Sequence, residues 1–290
     1  MERFSSRPVN QYKAREQVFE ERALYWIGRC FYLVTFVGFG LFGIYIILRA
    51  TGLTFKNFDQ WHELISGIPI ATANVWIANI GIGMHFIMGM ILVLAWPILF
   101  SARIRARHAA VHRWTGRVYV TAGFLAGAGG LSYIFTHGAF TPSASVAFAI
   151  WGVLMMACAV MAYVYARARR FDRHRAWAIR LFALVLGSWL FDVEYELWRE
   201  LTGGMGYGAD GISGPVFYAI LYLFFVPNLL VAEFFIRNKH KRISFSQKLK
   251  WPIVVSLAVV SLLFFYAVVL ISATSSGKFG AHLLQLVGIN

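Results

Sequence analysis

Long apolar stretches recur along this 290-residue chain, from Leu24 almost to the last residue. Each stretch is long enough to cross ~30 Å of hydrocarbon, which takes about 20 helical residues. With 59% hydrophobic and only 14% charged residues, the chain has too much apolar surface for one water-soluble core. Lipid cannot satisfy backbone polar groups, so such stretches form helices. The sequence therefore predicts an all-α integral membrane protein.

We predict a bundle of about seven transmembrane helices in a single transmembrane domain. A basic arm, 1–23, precedes the bundle at 24–272, and an outer tail, 273–290, follows it. The arm lacks an apolar core with a small-residue cleavage site, so the first helix should act as its own insertion signal. The predicted helices cover 24–48, 73–100, 115–136, 144–166, 177–198, 215–236 and 251–272.

Most of the 27 lysines and arginines fall on alternate connections: the arm, 103–117, 167–180 and 237–250. Cytoplasmic loops carry such an excess, so we expect these four segments and the N-terminus to be cytoplasmic. The net charge of +14 lies in short strips at the membrane surface. This pattern favours anionic lipid headgroups as partners and argues against nucleic acid.

His112 and His174 occupy matching depths, at the cytoplasmic starts of the third and fifth predicted helices. A b-type haem needs imidazoles from two helices at one depth, so one haem near the inner surface is a candidate cofactor. Gly116, four residues after His112, would leave room on the same face. Alternatively, each histidine hydrogen-bonds a lipid phosphate beside its arginine neighbour, without a cofactor.

His85 lies about ten residues into the second predicted helix, near mid-membrane. Ionisable groups at that depth are costly and usually functional, so we single it out as an intramembrane residue of unassigned role. The structural alternative is a hydrogen bond to a neighbouring helix or to a backbone carbonyl.

Three acids, Asp192, Glu194 and Glu196, lie near the outer end of the fifth predicted helix, and the first and last share a face. Two carboxylates on one face could relay protons or bind a cation. They could equally lie in the headgroup zone and pair with Arg199.

Arg180 and Glu233 fall in the cytoplasmic leaflet on successive predicted helices. We predict an ion pair between them, which would explain two charges at that depth and could also hold a quinone or lipid headgroup.

The segment 203–211 is rich in glycine but lacks the GxGxxG spacing and the strand-to-helix context of a nucleotide site. It is typical of a flexible outer loop.

Two short motifs, HRWTGRVY at 112–119 and HRAWAIR at 174–180, resemble the bacterial membrane family called domain of unknown function 2306. The resemblance covers roughly 79–233. It implies a polytopic fold in the bacterial inner membrane and carries no established activity, so no catalytic residue or metal site is assigned.

A weaker similarity runs to the ascorbate-reducible di-haem cytochromes b, whose outline of histidine helices and a basic turn matches His85, Arg103, His112 and Gly116. The fourth predicted helix contains no histidine to partner His85. The comparison therefore implies at most one haem, on His112 and His174.

Three functions follow as hypotheses. The first is a membrane redox protein, which handles one b-type haem or a quinone near the cytoplasmic surface. The second is a cofactor-free accessory or assembly subunit of a larger membrane complex, since no segment outside the membrane is long enough to fold alone. The third is a small-solute or proton transporter that uses His85 and the acids of the fifth helix.

Overall fold

Apolar stretches become helices wherever the structure describes them. The computed structural model describes residues 76–138 and 141–238, with parts of 25–43 and 252–269. In the continuous part we number seven helices, and the described residues contain no strand. They are α1 (Trp76–Phe100), α2 (Ala102–Arg107), α3 (Ala109–Thr136), α4 (Pro142–Arg167), α5 (Phe171–Thr202), α6 (Pro215–Leu223) and α7 (Val226–Asn238).

Five segments are long and apolar enough to cross a membrane: α1, α3, α4, α5 and the α6–α7 segment Pro215–Asn238. They correspond to the five central helices of the predicted seven. Within the first and last predicted spans, the structure describes shorter apolar helices, Leu33–Gly43 and Ala258–Ala267. The remainder of both spans lies outside the described residues, so the count of seven is confirmed only as far as these five.

Helix ends differ from the predicted bounds where charged residues adjoin an apolar stretch. α3 begins at Ala109, not at 115, and α5 covers 171–202, where we predicted 177–198. An apolar window detects only the part of a helix inside the hydrocarbon, whereas the helix continues into the headgroup zone until a residue stops it. At α5 that residue is Gly203, whose φ of 66° favours glycine.

The sixth predicted helix is interrupted. α6 ends at Leu223, Phe224 and Phe225 form a turn, and α7 begins at Val226. Pro227 explains the break, because its nitrogen has no hydrogen to donate to the carbonyl of Leu223, four residues back. The Asn228 side-chain amide donates to the next carbonyl, that of Phe224, at 3.0 Å.

The chain divides by its internal contacts into two units, Met1–Gly38 with Lys241–Asn290, and Phe39–His240. In the first unit, Arg29 donates to the Tyr25 hydroxyl at 2.8 Å. In the second unit, successive helices pack on one another: α1 on α3, α3 on α4, α4 on α5, and α5 on α7.

Close helix crossings are built on glycine. A Cβ on Gly81 of α1 would lie 2.8 Å from the Gly129 carbonyl oxygen of α3, and a Cβ on Gly127 would lie 2.8 Å from the Gly152 carbonyl oxygen of α4. Between membrane helices lipid removes the hydrophobic driving force, so close backbone packing contributes much of the stability. The side chains on the outside of the bundle, such as Ile80 and Val153, are apolar and exposed, as contact with lipid requires.

Candidate functional site

Two short connections form one end of the bundle, which we call the basic end. The connection 101–108 joins α1 to α3, and 168–170 joins α4 to α5. The four helices pack in sequence order, so antiparallel neighbours bring both connections to the same end. Arginines crowd this end at positions 103, 105, 107, 113, 117, 167, 169, 170, 173 and 175.

His174 lies in the first turns of α5 at the basic end and is half-buried. Its Nδ1 is 2.8 Å from the Ala162 carbonyl oxygen of α4. A carbonyl only accepts, so Nδ1 carries the hydrogen, and in the neutral imidazole Nε2 then has the lone pair. Histidines that bind metals are commonly oriented by such a bond to a backbone carbonyl.

His112 lies in the first turn of α3, at the same end. Its Nδ1 is buried and has no hydrogen-bond partner among the described residues. The structure therefore places both histidines at the basic end, and it leaves one ring nitrogen of His112 without a partner in the described part of the chain.

Tyr119 belongs to the same region, and we did not select it from the sequence as a site residue. It lies seven residues after His112 and three after Gly116, which puts all three on one face of α3. Only 4% of Tyr119 is exposed, and its hydroxyl has no hydrogen-bond partner among the described residues. The spacing was visible in the sequence, but the missing partner was not. We call His112, Gly116, Tyr119 and His174 the two-histidine site.

Arg180 lies on α5 six residues after His174, and it forms an ion pair with Glu233 of α7. Arg180 donates from Nε at 3.1 Å and from Nη2 at 2.7 Å to the same Glu233 oxygen. The guanidinium also lies over the Trp177 ring, 4.7 Å from its centroid. Arg237, which is exposed, donates to the other Glu233 oxygen at 2.8 Å. The pair links α5 to α7 near the two-histidine site.

His85 lies in the interior of α1, away from both ends. Its Nδ1 donates to the Ala126 carbonyl of α3 at 2.9 Å, and its ring meets Trp151 of α4 edge to face at 6.1 Å. A Cβ on Gly130 would lie 3.1 Å from the same nitrogen. His85 thus makes the interhelical bond to a backbone carbonyl that we gave as the structural alternative.

The far end of α5, opposite the basic end, carries the three acids. Glu196 pairs with Arg199, as the headgroup-zone alternative supposed. Among the described residues, no three histidine, cysteine, aspartate or glutamate side chains come together as a metal group.

The glycine-rich segment at this end forms a loop of turns and bends, as predicted, and side chains of the loop contact α5. Tyr207 stacks on Tyr195, with ring centroids 5.1 Å apart, and its hydroxyl donates to the Tyr195 carbonyl at 3.1 Å. Burial is the main reason that the pKa of Tyr207 rises to about 12. A hydrogen bond from Ser213 and bonds from nearby backbone amides lower the pKa of Asp210. The contacts with Tyr195 were not visible in the glycine composition, because Tyr195 and Tyr207 lie on different elements.

Five apolar helices long enough to cross a bilayer, with a polar site at one end, define a multi-pass membrane protein. More specifically, the chain belongs to the family described as "Predicted membrane protein (DUF2306)", whose profile matches residues 82–236. That range contains the whole two-histidine site and confirms the first resemblance. No curated protein and no solved structure matches the chain, so the weaker similarity to di-haem cytochromes b gains no support.

Proposed function

We propose that this chain is a redox-linked protein of the bacterial inner membrane that binds a b-type haem or a quinone in the two-histidine site. The observation that carries the proposal is that two histidines, His112 and His174, lie at the same end of the bundle, and His112 Nδ1 is buried there without a hydrogen-bond partner among the described residues. A buried polar atom is normally hydrogen-bonded. A bound cofactor would supply the missing partner.

The local chemistry suits either group. His174 has Nδ1 fixed by the Ala162 carbonyl, which leaves Nε2 for an iron atom or for a hydrogen bond to a ligand. Gly116 has no side chain, and a Cβ there would have only Leu99 within 4 Å, at 3.8 Å. A flat ring could enter at this level once the Leu99 side chain shifts.

Spectra of the detergent-purified chain test this proposal, with His112→Ala and His174→Ala as the variants. We expect either a Soret band or about one extractable quinone per chain in the wild type, and loss of it in both variants. His108→Ala is the matched control, because His108 lies at the same end with an exposed side chain. If the wild type shows neither a Soret band nor quinone, the redox role is wrong.

The proposed orientation places the basic end and the N-terminus in the cytoplasm, with the arginines against anionic headgroups. Support comes from the crowding of arginine at that end and from Arg117, which lies over the exposed Trp114 ring at 4.5 Å. Arginine and tryptophan together are typical of the interface between membrane and water.

Cysteine labelling tests the orientation with two exposed alanines at opposite ends, Ala106 and Ala209. In a chain without Cys30 and Cys158, we expect a membrane-impermeant maleimide to label Ala209→Cys in intact spheroplasts. Ala106→Cys should react only after the cells are broken. The reverse pattern would place the basic end outside.

A further inference from the structure

We infer that Tyr119 is the hydrogen-bond donor that orients a quinone headgroup in the two-histidine site. This inference rests on the proposed function and chooses between its two cofactors. It starts from the Tyr119 hydroxyl, which is buried and has no partner among the described residues. Leaving such a group unpaired destabilises a protein, and native structures rarely do so without a reason.

Helical spacing puts Tyr119 on the same face of α3 as His112. Long side chains on a helix lean back toward its N-terminus, which for α3 is the basic end. We therefore expect the Tyr119 hydroxyl to extend from its own turn toward the level of Gly116. On this face of α3, His112 and Tyr119 flank the residue that has no side chain, and each has a buried polar atom without a partner among the described residues.

The walls of the site decide which ligand chemistry fits. Leu99 is nearest to Gly116 of the site, and one turn beyond Tyr119, on the side away from His112, Leu181 and Ala159 are nearest to Gly123. These apolar walls favour a ligand with few polar atoms. A quinone has a flat ring, carbonyl oxygens that accept hydrogen bonds, and an apolar tail that can continue into lipid.

Charged ligands fit this position less well. A phospholipid phosphate or a haem propionate is an anion, and anions favour the arginines exposed at the basic end. A neutral phenol inside an apolar wall suits a neutral acceptor such as a carbonyl. The same reasoning explains why Tyr119, rather than an arginine, occupies the buried face.

Binding of a short-chain ubiquinone and of a short-chain menaquinone to the purified full-length chain tests this inference, with tryptophan fluorescence as the readout. We expect Tyr119→Phe to weaken binding about three- to tenfold, the effect of one lost hydrogen bond. Tyr133→Phe is the matched control. It removes another buried hydroxyl without a partner among the described residues, near the opposite end of α3, and should bind quinone as the wild type does.

The melting temperature with and without quinone gives a second readout. It distinguishes a variant that has lost a contact with quinone from a variant that is misfolded. Without quinone, Tyr119→Phe should be at least as stable as the wild type, because it removes an unpaired buried hydroxyl. Saturating quinone should raise the melting temperature of the wild type more than that of Tyr119→Phe.

The outcomes separate the inference from the proposed function. If Tyr119→Phe binds quinone as tightly as the wild type, the role of Tyr119 is wrong. If the wild type has a Soret band that His174→Ala loses, and binds no quinone, this inference fails while the redox role stands. If the wild type shows neither haem nor quinone binding, both fail.

Discussion

Replacing Gly129 with alanine should destabilise the bundle by about 3 kcal/mol or more, whereas replacing Gly89 with alanine should have little effect. Overpacking a well-packed interior typically costs about 1–3 kcal/mol. The Gly129 case is more severe because a Cβ there would overlap the carbonyl oxygen of Gly81 and lie 3.0 Å from the backbone nitrogen of His85. Backbone atoms in two long helices cannot move aside as a side-chain end can.

Gly89 is the matched control, since it lies in the same pair of helices and a Cβ there would have no atom within 4 Å. Melting temperatures and the yield of monodisperse protein in detergent measure both variants. If Gly129→Ala has the same melting temperature as the wild type, then α1 and α3 do not cross at Gly81 and Gly129.

Removing the Glu233 carboxylate should lower the free energy of unfolding by about 2 kcal/mol. Removing its exposed partner Arg237 should lower it far less. Glu233→Ala leaves Arg180 at membrane depth without its carboxylate, and an unpaired charge there is expensive. Side-chain exposure is 24% for Arg180 but 76% for Arg237. Arg237→Ala breaks only an exposed pair four residues apart, which contributes roughly 0.3–0.5 kcal/mol.

A double-mutant cycle on Arg180 and Glu233 isolates the pair, because each single substitution also changes other contacts. The Trp177 ring still faces Arg180 when Glu233 is gone, which limits the loss. Thermal unfolding in one detergent gives the stabilities of the wild type, the two single variants and the double variant. Equal melting temperatures for Glu233→Ala and Arg237→Ala would mean that the link between α5 and α7 adds no stability.

Features that depend on one-dimensional depth were predictable from the sequence. Apolar length defined five of the helices, and the count of residues along each helix put His112 level with His174 and Arg180 level with Glu233. Membrane helices run nearly across the bilayer, so position along the chain converts directly to depth. This conversion is why two residues far apart in sequence could be considered together.

Features that depend on the rotation and offset of neighbouring helices were not predictable. A GxxxG pattern at Gly123 and Gly127 was visible, but the contact of Gly81 with Gly129 requires the register of α1 on α3. The missing partner of the Tyr119 hydroxyl likewise depends on every helix around it. At the glycine-rich segment, bonds that close the loop, such as that from the Val216 nitrogen to the Gly206 carbonyl at 3.2 Å, could not be inferred from composition.

If His112 and His174 share a bound redox cofactor, a density map of the chain purified from its native membrane should show it. At a resolution that shows side chains, we predict non-protein density between the two imidazoles, in contact with His112 Nδ1. Density for a flat ring that also reaches the Tyr119 hydroxyl would match the quinone. If the protein's own side chains fill this space, and the imidazoles contact only protein or lipid phosphate, then His112 and His174 do not share a redox cofactor.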